Sequence, residues 1–293
     1  MYDQISSNKL KSAALVVVFV ALVGLIGYVF GQATDWGYLG LVLALVVAFA
    51  MSWGSYWFSD KIVLSMSRAR PVDRDREPYL VNTVEGLAIA AGLPAPRAYV
   101  IDDPAPNAFA TGRNPEHAAI AVTTGLVAVM NRQELEGVLA HELSHIKNYD
   151  TLLQTIAATL AGSVTLLSEW MMRSLFWGGR DRNRDSGQFG VIIMVVAIVL
   201  AVLAPLAATL IQLAISRKRE FLADASAAML TRYPPGLAGA LRKIGGDQNQ
   251  LRVANKATES LYIVNPLKAR GRMNALFNTH PPLEERIARL ESM

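Results

Sequence analysis

Two long apolar runs near the start of the chain limit its possible folds more than any other feature. They extend from Ser12 to Phe30 and from Gly37 to Phe58, and neither contains a charged residue. An α-helix needs about 20 apolar residues to cross the hydrocarbon layer of a membrane, and both runs are close to that length. Residues 1–58 are therefore expected to form a hairpin of two transmembrane helices. A cleaved signal peptide is the alternative for the first run, but no small-residue cleavage site precedes the second run.

A second apolar pair follows the central part of the chain. Thr151 to Ser168 contains Gln154 and runs into Glu169, whereas Phe189 to Ile215 carries no charge. We expect residues 151–215 to form a second helical pair that crosses the membrane or lies partly in its interface, which gives about four transmembrane helices in all. A buried helical hairpin of a soluble domain is the alternative.

The basic residues indicate how these helices are oriented. The net charge is +4, but Lys and Arg do not form one patch of the kind that binds nucleic acid; they flank the first two runs at Lys9, Lys11, Lys61, Arg68, Arg70, Arg74 and Arg76. Such residues favour the cytoplasmic side of a membrane. Residues 59–150 and 216–293 are therefore expected to share the cytoplasm, and no nucleic-acid partner is expected. Arg180, Arg182 and Arg184, in the loop of the second pair, argue weakly against export of that loop.

The polar parts of the chain predict a mostly helical domain with a small antiparallel sheet. Two short runs, Arg97 to Ile101 and Ala118 to Val122, are bounded by Pro, Gly and Asn and predict strands. The spacing of apolar residues predicts helices over Arg74–Ala91, Arg132–Asn148, Arg217–Leu230 and Leu283–Leu290. Gly92 is a usual stop for the first of these helices. Asn131, with Glu134 three residues later, forms a capping pair for the second.

The helix predicted over Arg132–Asn148 carries a metal-binding pattern. The chain has no cysteine and four histidines, so a metal would be held by His, Asp or Glu. His141 and His145 are four residues apart and project from one helical face, the spacing at which both imidazoles reach one zinc ion. Glu142 can reach a water molecule at the metal and act as a general base. A helix that happens to bury two histidines and a carboxylate is the alternative.

A catalytic zinc site needs a third protein ligand and leaves one position for water. Glu220 and Asp224 lie four residues apart on the helix predicted over Arg217–Leu230. Glu220 could bind the metal while Asp224 hydrogen-bonds the far nitrogen of a ligating histidine. Spacing alone slightly favours the alternative, a solvated acidic pair that balances the neighbouring Arg217, Lys218 and Arg219.

Three groups of residues together resemble a known family. They are His141-Glu142-Leu143-Ser144-His145, then Glu220-x-x-x-Asp224 after an apolar pair, then Asn278-Thr279-His280-Pro281-Pro282 before a final helix with Arg286. In this order, after two leading apolar runs, they are similar to the membrane-bound zinc metalloproteases of the HtpX type. These proteases belong to the wider M48 group, which includes the Ste24 CAAX proteases, and the resemblance covers nearly the whole chain. It implies an α+β, mostly helical zincin-type (gluzincin) domain that holds one Zn²⁺, with Glu220 as the third ligand.

The resemblance also implies roles for three further residues. His280 and Arg286 match positions near the scissile carbonyl, and such side chains are suitable donors for a developing oxyanion. Asn107 matches a position that contacts the substrate beside the active site. His117 matches no motif and is expected to be an ordinary loop residue.

Taken together, these expectations describe a zinc metalloendopeptidase at the cytoplasmic face of a membrane. An extended substrate is expected along an exposed strand, with Ala118 to Val122 as the candidate, because main-chain pairing holds a peptide without demanding a particular sequence. The resemblance implies polypeptide substrates among misfolded membrane proteins, in quality control at a bacterial inner membrane. The alternatives are a membrane scaffold or transporter with a structural zinc site, and a CAAX-type prenyl-peptide protease, whose relatives use more membrane spans than this chain offers.

Overall fold

The computed structural model of the protein describes residues 2–33, 36–178, 216–252, 258–266 and 280–293. The helices are α1 (Tyr2–Ala33), α2 (Tyr38–Met66), α3 (Pro78–Ala91), α4 (Thr124–Val129), α5 (Arg132–Lys147), α6 (Asp150–Gly178), α7 (Arg217–Thr231), α8 (Pro234–Gly246) and α9 (Leu283–Glu291). The strands are β1 (Arg70–Pro71), β2 (Arg97–Ile101), β3 (Ala108–Thr111) and β4 (Ala119–Thr123). Two short 3₁₀ helices cover Pro115–His117 and Glu259–Leu261.

The first two helices form the predicted hairpin. Within the described residues, the segments Gln4–Val29 and Tyr38–Met66 are long and apolar enough to span a membrane. The two helices approach closely where glycines face each other, since a Cβ atom on Gly27 would lie 2.6 Å from the carbonyl oxygen of Gly40 and 2.1 Å from the Cβ of Ala44. Small residues at such a crossing are typical of helix packing in membranes.

The expected total of four membrane helices is not confirmed. Helix α6 begins at Asp150, and its side chains from Asp150 to Ala161 and at Val164 are buried. Several of them, including Leu153 and Leu160, pack in one apolar cluster with Phe19 of α1 and Ala48 of α2. The start of the predicted third segment is thus a helix packed against the hairpin. The predicted fourth segment, Phe189 to Ile215, lies outside the described residues, as do the three arginines before it.

The sheet is mixed, so the prediction of an antiparallel sheet is wrong. Its strand order is β1-β2-β4-β3, in which β2 pairs parallel with β4 while the two outer pairs are antiparallel. The chain leaves β2, forms β3 at the far edge and turns back as β4 between them. β3 contains only four residues, which is too short for an alternation of apolar and polar residues to predict a strand. The sequence therefore predicts β2 and β4 as consecutive strands.

The position of β4 also contradicts the prediction that this strand binds the substrate. β4 lies between β2 and β3, and all five of its residues are buried. A strand paired on both sides has no free backbone groups with which to bind a peptide. The prediction that Ala118 to Val122 lies exposed for substrate is therefore wrong, and the edges of the sheet are β1 and β3.

Helix α5 lies at the centre of the protease part. It contacts β3, α3, α7 and α8, and its residues from Gly137 to Ile146 are all buried. Its close approach to α8 depends on Gly137, where a Cβ atom would lie 2.7 Å from the backbone nitrogen of Leu237. The helix with the metal-binding pattern is therefore held on several sides by packed neighbours.

The other predicted helices differ from the structure mainly at their ends. Helix α3 starts at Pro78 instead of Arg74, because proline disfavours helical geometry in the residue before it and fits the first helical turn. It ends at Gly92 as predicted, with a left-handed φ of 68°. The helix that begins at Arg217 ends at Thr231, and a new helix, α8, starts at the pair Pro234-Pro235.

Candidate metal centre

The start of α5 fixes how the metal-binding pattern is presented. The Oδ1 of Asn131 accepts a hydrogen bond from the backbone N–H of Glu134, and the Oε2 of Glu134 accepts one from the N–H of Asn131. This reciprocal capping confirms the predicted helix start. The helix then runs without interruption through His141 and His145 to Lys147, so the two imidazoles lie one turn apart on the same face.

Three side-chain donors converge at this face. The Nε2 atoms of His141 and His145 are 3.1 Å apart. The carboxylate of Glu220, which α7 supplies, lies 3.7 Å from the first Nε2 and 3.6 Å from the second. Two ligands bound tetrahedrally to zinc at 2.0–2.1 Å stand about 3.3 Å apart. The three side chains, all buried, thus have separations that suit one tetrahedral metal ion.

Carboxylates on the far side of each imidazole orient the two rings. The Nδ1 of His141 lies 2.9 Å from the Oδ1 of Asp224, the partner expected from the sequence. The Nδ1 of His145 lies 2.9 Å from the Oδ2 of Asp150. When each Nδ1–H donates a hydrogen bond to its carboxylate, each Nε2 keeps a free electron pair that points to the shared centre.

Sequence reasoning missed Asp150. It follows His145 by five residues and stands directly before the apolar run that starts at Thr151. An acidic residue directly before such a run could have identified Asp150 as a candidate functional residue. Its contact with His145, however, depends on the turn at Tyr149, whose left-handed φ of 58° is unusual for a residue with a side chain and has no sequence signature.

The charges around Glu220 favour its ionised form. Burial raises the pKa of this carboxyl, but His280, His145 and Arg286 outweigh that effect and hold the pKa well below its usual value. The Nδ1 of His280 lies 3.3 Å and the Nη1 of Arg286 lies 3.6 Å from its Oε2. Glu220 is therefore available as an anionic donor.

Glu142 has the opposite environment. Burial raises the pKa of this carboxyl to about 7, although the neighbouring His145 and the backbone N–H of Ala110 act against the shift. In the part of the chain that the structure describes, its Oε1 is buried without a hydrogen-bond partner. Buried carboxylate oxygens are normally paired, and a water molecule would satisfy this atom.

His280 and Arg286 lie at the same centre but differ in what they contact. Among the described residues, neither ring nitrogen of His280 has a hydrogen-bond partner, its Nδ1 forms only the ion-pair contact with Glu220, and the residue is buried. Arg286 is fully buried and donates two hydrogen bonds to Asp224 and one to the carbonyl of Ile263. The residues Asn278 and Thr279 of the same motif lie outside the described residues.

Asn107 lies at the start of β3, where it holds a neighbouring segment of the chain. Its Nδ2 donates to the carbonyl oxygen of Val264 at 2.9 Å. Next to it, the backbone N–H of Ile263 donates to the carbonyl oxygen of Ala108 at 2.9 Å. Residues 262–264 therefore cover part of the outer edge of β3. His117 is exposed, but it is the last residue of the 3₁₀ helix Pro115–His117 instead of the expected loop residue, and its Nδ1 lies 2.7 Å from the Oδ1 of Asn114.

The donor set tests whether a metal fits here. Three buried donors with suitable separations, each imidazole oriented by a carboxylate, meet the usual requirements of a metal site. Within the described residues, Glu220 Oε2 makes no hydrogen bond, although it forms ion-pair contacts with His280 and Arg286, and Glu142 Oε1 has no hydrogen-bond partner. Both atoms are buried and belong to this centre. A cation would satisfy the first of them, and a water molecule at the cation would satisfy the second.

Residues placed in this way define the class of protein, which is a metalloprotease attached to membrane helices. More particularly, the chain belongs to Peptidase family M48, whose sequence profile matches residues 74–293. It is 46% identical over 292 residues to the protease HtpX homolog of Dictyoglomus turgidum, covering 100% of this chain and 94% of that protein. It is 48% identical over 299 residues to the protease HtpX homolog of Streptococcus pneumoniae strain P1031, and both chains are covered completely.

A solved structure shares the fold at low sequence identity. The crystal structure of Ste24p from S. mikatae aligns with 99% of this chain and 67% of that chain, with a TM-score of 0.50 and 20% sequence identity. Its likeness supports the arrangement of helices and strands described above. The family assignment rests on the sequence relatives, which match over the full length of the chain.

Proposed function

We propose that the chain is a zinc-dependent endopeptidase that cleaves loops or misfolded segments of membrane proteins at the cytoplasmic face of the bacterial inner membrane. The observation that carries this proposal is the position of Glu142. Its buried, unpartnered oxygen belongs to the centre where His141, His145 and Glu220 converge. A structural zinc site is normally closed by four protein ligands, whereas three donors with a carboxylate beside them are typical of hydrolysis.

Zinc is the metal that this donor set favours. Two imidazoles and one carboxylate, with no thiolate, form the ligand set of several zinc peptidases. When bound, zinc would lower the pKa of a coordinated water towards about 7 and polarise the scissile carbonyl. His141, His145 and Glu220 are the proposed ligands, one ion per chain, and Asp224 and Asp150 hold the two imidazoles in position.

The residues of the chain then divide the proton transfers of hydrolysis. Glu142 accepts the proton of the attacking water, and its pKa of about 7 suits a base at neutral pH. The same carboxyl delivers that proton to the nitrogen of the leaving amine. His280, whose ring nitrogens have no hydrogen-bond partner, is the proposed donor to the developing oxyanion. Arg286, on the far side of Glu220, is proposed to help stabilise the negative charge of this oxyanion.

The substrate backbone is proposed to lie along β3. This strand is an edge of the sheet, and the backbone N–H of its Ala110 lowers the pKa of Glu142, which places the strand beside the proposed base. Residues 262–264 now cover the edge at Ala108. A peptide that pairs with β3 would therefore take the place of this segment and inherit its contact with Asn107. Main-chain pairing of this kind demands no particular sequence.

The membrane hairpin supports the proposed location. The exposed apolar side chains of α1 and α2, among them Val17, Leu25, Val46 and Phe49, form the surface that lipid would cover. Lys9 and Lys11 lie near the start of α1, where Lys9 contacts Tyr149 of the protease part, and Lys61 lies near the end of α2; this favours the cytoplasmic side for that part. Substrates at this position are loops of membrane proteins or unfolded segments close to the surface.

The test compares the wild type with Glu142→Gln in detergent. The variant is expected to bind one zinc per chain, measured by elemental analysis, and to lose cleavage of casein by several orders of magnitude. Glu136→Gln, which changes a half-buried glutamate on the same helix that pairs with Arg132, is the matched control and should cleave normally. Casein cleavage by Glu142→Gln at the wild-type rate would refute the proposal. A wild type that binds zinc but cleaves no polypeptide would favour the structural-zinc alternative.

A further inference from the structure

Asn8 belongs to the first candidate membrane helix, yet its side chain is buried against the protease part. Only 2% of the residue is exposed. Its Nδ2 donates to the Oδ1 of Asp150 at 2.7 Å and to the carbonyl oxygen of Asn148 at 2.9 Å. Its Oδ1 accepts from the Nη1 of Arg219 at 3.2 Å. These partners use both amide hydrogens and the amide oxygen, so they fix the orientation of the side chain.

The partners of Asn8 connect directly to two of the three metal donors. Asp150 uses one carboxylate oxygen for Asn8 and the other for the Nδ1 of His145. Arg219 immediately precedes Glu220 in the first turn of α7. The side-chain amide of Asn8 thus connects two parts of the metal centre. One is the turn that follows α5, the helix of His141 and His145, and the other is α7, the helix that supplies the Glu220 carboxylate.

The backbone between α5 and α6 explains why such a connection is needed. Asp150 reaches back to His145 only because Tyr149 adopts a left-handed conformation, with φ of 58°, which a residue with a side chain adopts at some cost. The neighbour of Asn8, Lys9, places its Nζ 4.4 Å from the centre of the Tyr149 ring. Two consecutive residues of α1 therefore contact the turn formed by residues 148–150.

We propose that Asn8 is a positioning residue for the metal centre. Through Asp150 it orients the imidazole of His145, and through Arg219 it fixes the start of the helix that carries Glu220. The inference rests on the zinc site of the proposed function. Groups that orient a metal ligand typically change metal affinity when they are lost. The metal affinity of the protease part therefore depends on a helix that is inserted in the membrane.

The experiment measures metal binding instead of proteolysis. Asn8→Leu keeps the number and branching of side-chain heavy atoms and removes all three hydrogen bonds. The matched control is Ser12→Ala, because Ser12 is buried one turn further along α1 and its hydroxyl donates only to the backbone carbonyl of Asn8. For each protein in detergent, the zinc dissociation constant is measured by competition with a chelator. The visible absorption spectrum of the cobalt-substituted form reports the ligand geometry.

Asn8→Leu is expected to raise the zinc dissociation constant about 10-fold, the lower end of the range for groups that orient metal ligands, and to shift the cobalt bands. Ser12→Ala should change neither. A purely structural role for Asn8 would instead lower the unfolding temperature of the metal-free protein and leave the zinc constant and the cobalt spectrum unchanged, which would overturn the inference. A wild type that binds no zinc would contradict the proposed function.

A second pair of variants covers the case in which Asn8→Leu does not fold. Asn8→Ser leaves a small polar side chain, and Asp150→Asn removes the carboxylate through which Asn8 is proposed to act. If that route is correct, Asn8→Ser weakens zinc binding in the wild type but has much less effect in the Asp150→Asn background. Fully additive effects would mean that the two residues act independently, and the inference would fail.

Discussion

Arg286 and Asp224 form a two-point ion pair in the interior of the protein. The Nε and Nη2 atoms of the arginine lie 2.8 and 2.7 Å from the two carboxylate oxygens. Burial acts against both charges, yet each partner stabilises the other, so the pKa of Asp224 is lowered and that of Arg286 is raised. Because Asp224 also contacts His141, the pair links α9 to the metal centre.

Removal of Arg286 is therefore expected to be strongly destabilising. Arg286→Ala leaves the buried carboxylate of Asp224 without its cation, and breaking a buried pair in this way costs about 3–5 kcal/mol. Arg289→Ala is the control on the same helix, because Arg289 is 54% exposed in its ion pair with Glu285, and exposed pairs contribute about 0–1 kcal/mol. Chemical denaturation in detergent measures both. Equal losses of unfolding free energy in the two variants would contradict the structural role of the buried pair.

Glu220→Ala is expected to abolish stoichiometric zinc binding, because it removes one of only three proposed ligands. The effect should also appear in thermal unfolding. Zinc at 100 times its dissociation constant stabilises a folded protein by about 2.7 kcal/mol, so chelation should lower the unfolding temperature of the wild type. The variant, which has no site to empty, should show no change on chelation. Zinc retained at one ion per chain in Glu220→Ala would remove this residue from the ligand set.

The membrane hairpin offers a matched pair of glycines. A Cβ atom on Gly27 would overlap Ala44 and the backbone of Gly40, whereas one on Gly54 would meet nothing within 4 Å. Gly27→Val should therefore separate α1 from α2 and destabilise the detergent-solubilised protein, since overpacking costs about 1–3 kcal/mol. Gly54→Val should be tolerated. Thermal unfolding followed by helical circular dichroism distinguishes the two, and equal tolerance would show that the helices do not cross at Gly27.

Much of the metal centre could be predicted because several of its residues lie only a few positions apart in the sequence. His141, Glu142 and His145 needed only helical geometry, and the cap at Asn131 located the helix that carries them. Glu220 needed more. Spacing alone favoured a solvated acidic pair, and only the order of motifs along the whole chain indicated a ligand, since a contact across the 74 residues between His145 and Glu220 leaves no local pattern.

The errors share a physical origin in long-range backbone geometry. The direction of β4 depended on β3, a four-residue strand too short to recognise, so both the sheet type and the substrate strand were predicted incorrectly. The contact between Asp150 and His145 depends on the left-handed conformation of Tyr149, which no local sequence pattern predicts. In the sequence Asn8 is one of several polar residues before an apolar run, and its contacts with Asp150 and Arg219 depend on how α1 packs against distant parts of the chain.

The proposed substrate position can be tested by tying down residues 262–264. Phe109 and Tyr262 are antiparallel bridge partners, which places Ala108 opposite Ile263. The chain contains no cysteine, so Ala108→Cys combined with Ile263→Cys can form a single, defined disulfide. If substrate replaces this segment on β3, the oxidised protein should neither bind nor cleave casein, and the reduced form of the same protein should do both. The oxidised and reduced forms differ only in the disulfide bond. Any effect of replacing the buried side chains of Ala108 and Ile263 is therefore the same in both forms. Casein binding of equal affinity in the two forms would mean that residues 262–264 are a permanent wall of the site and that the peptide lies elsewhere.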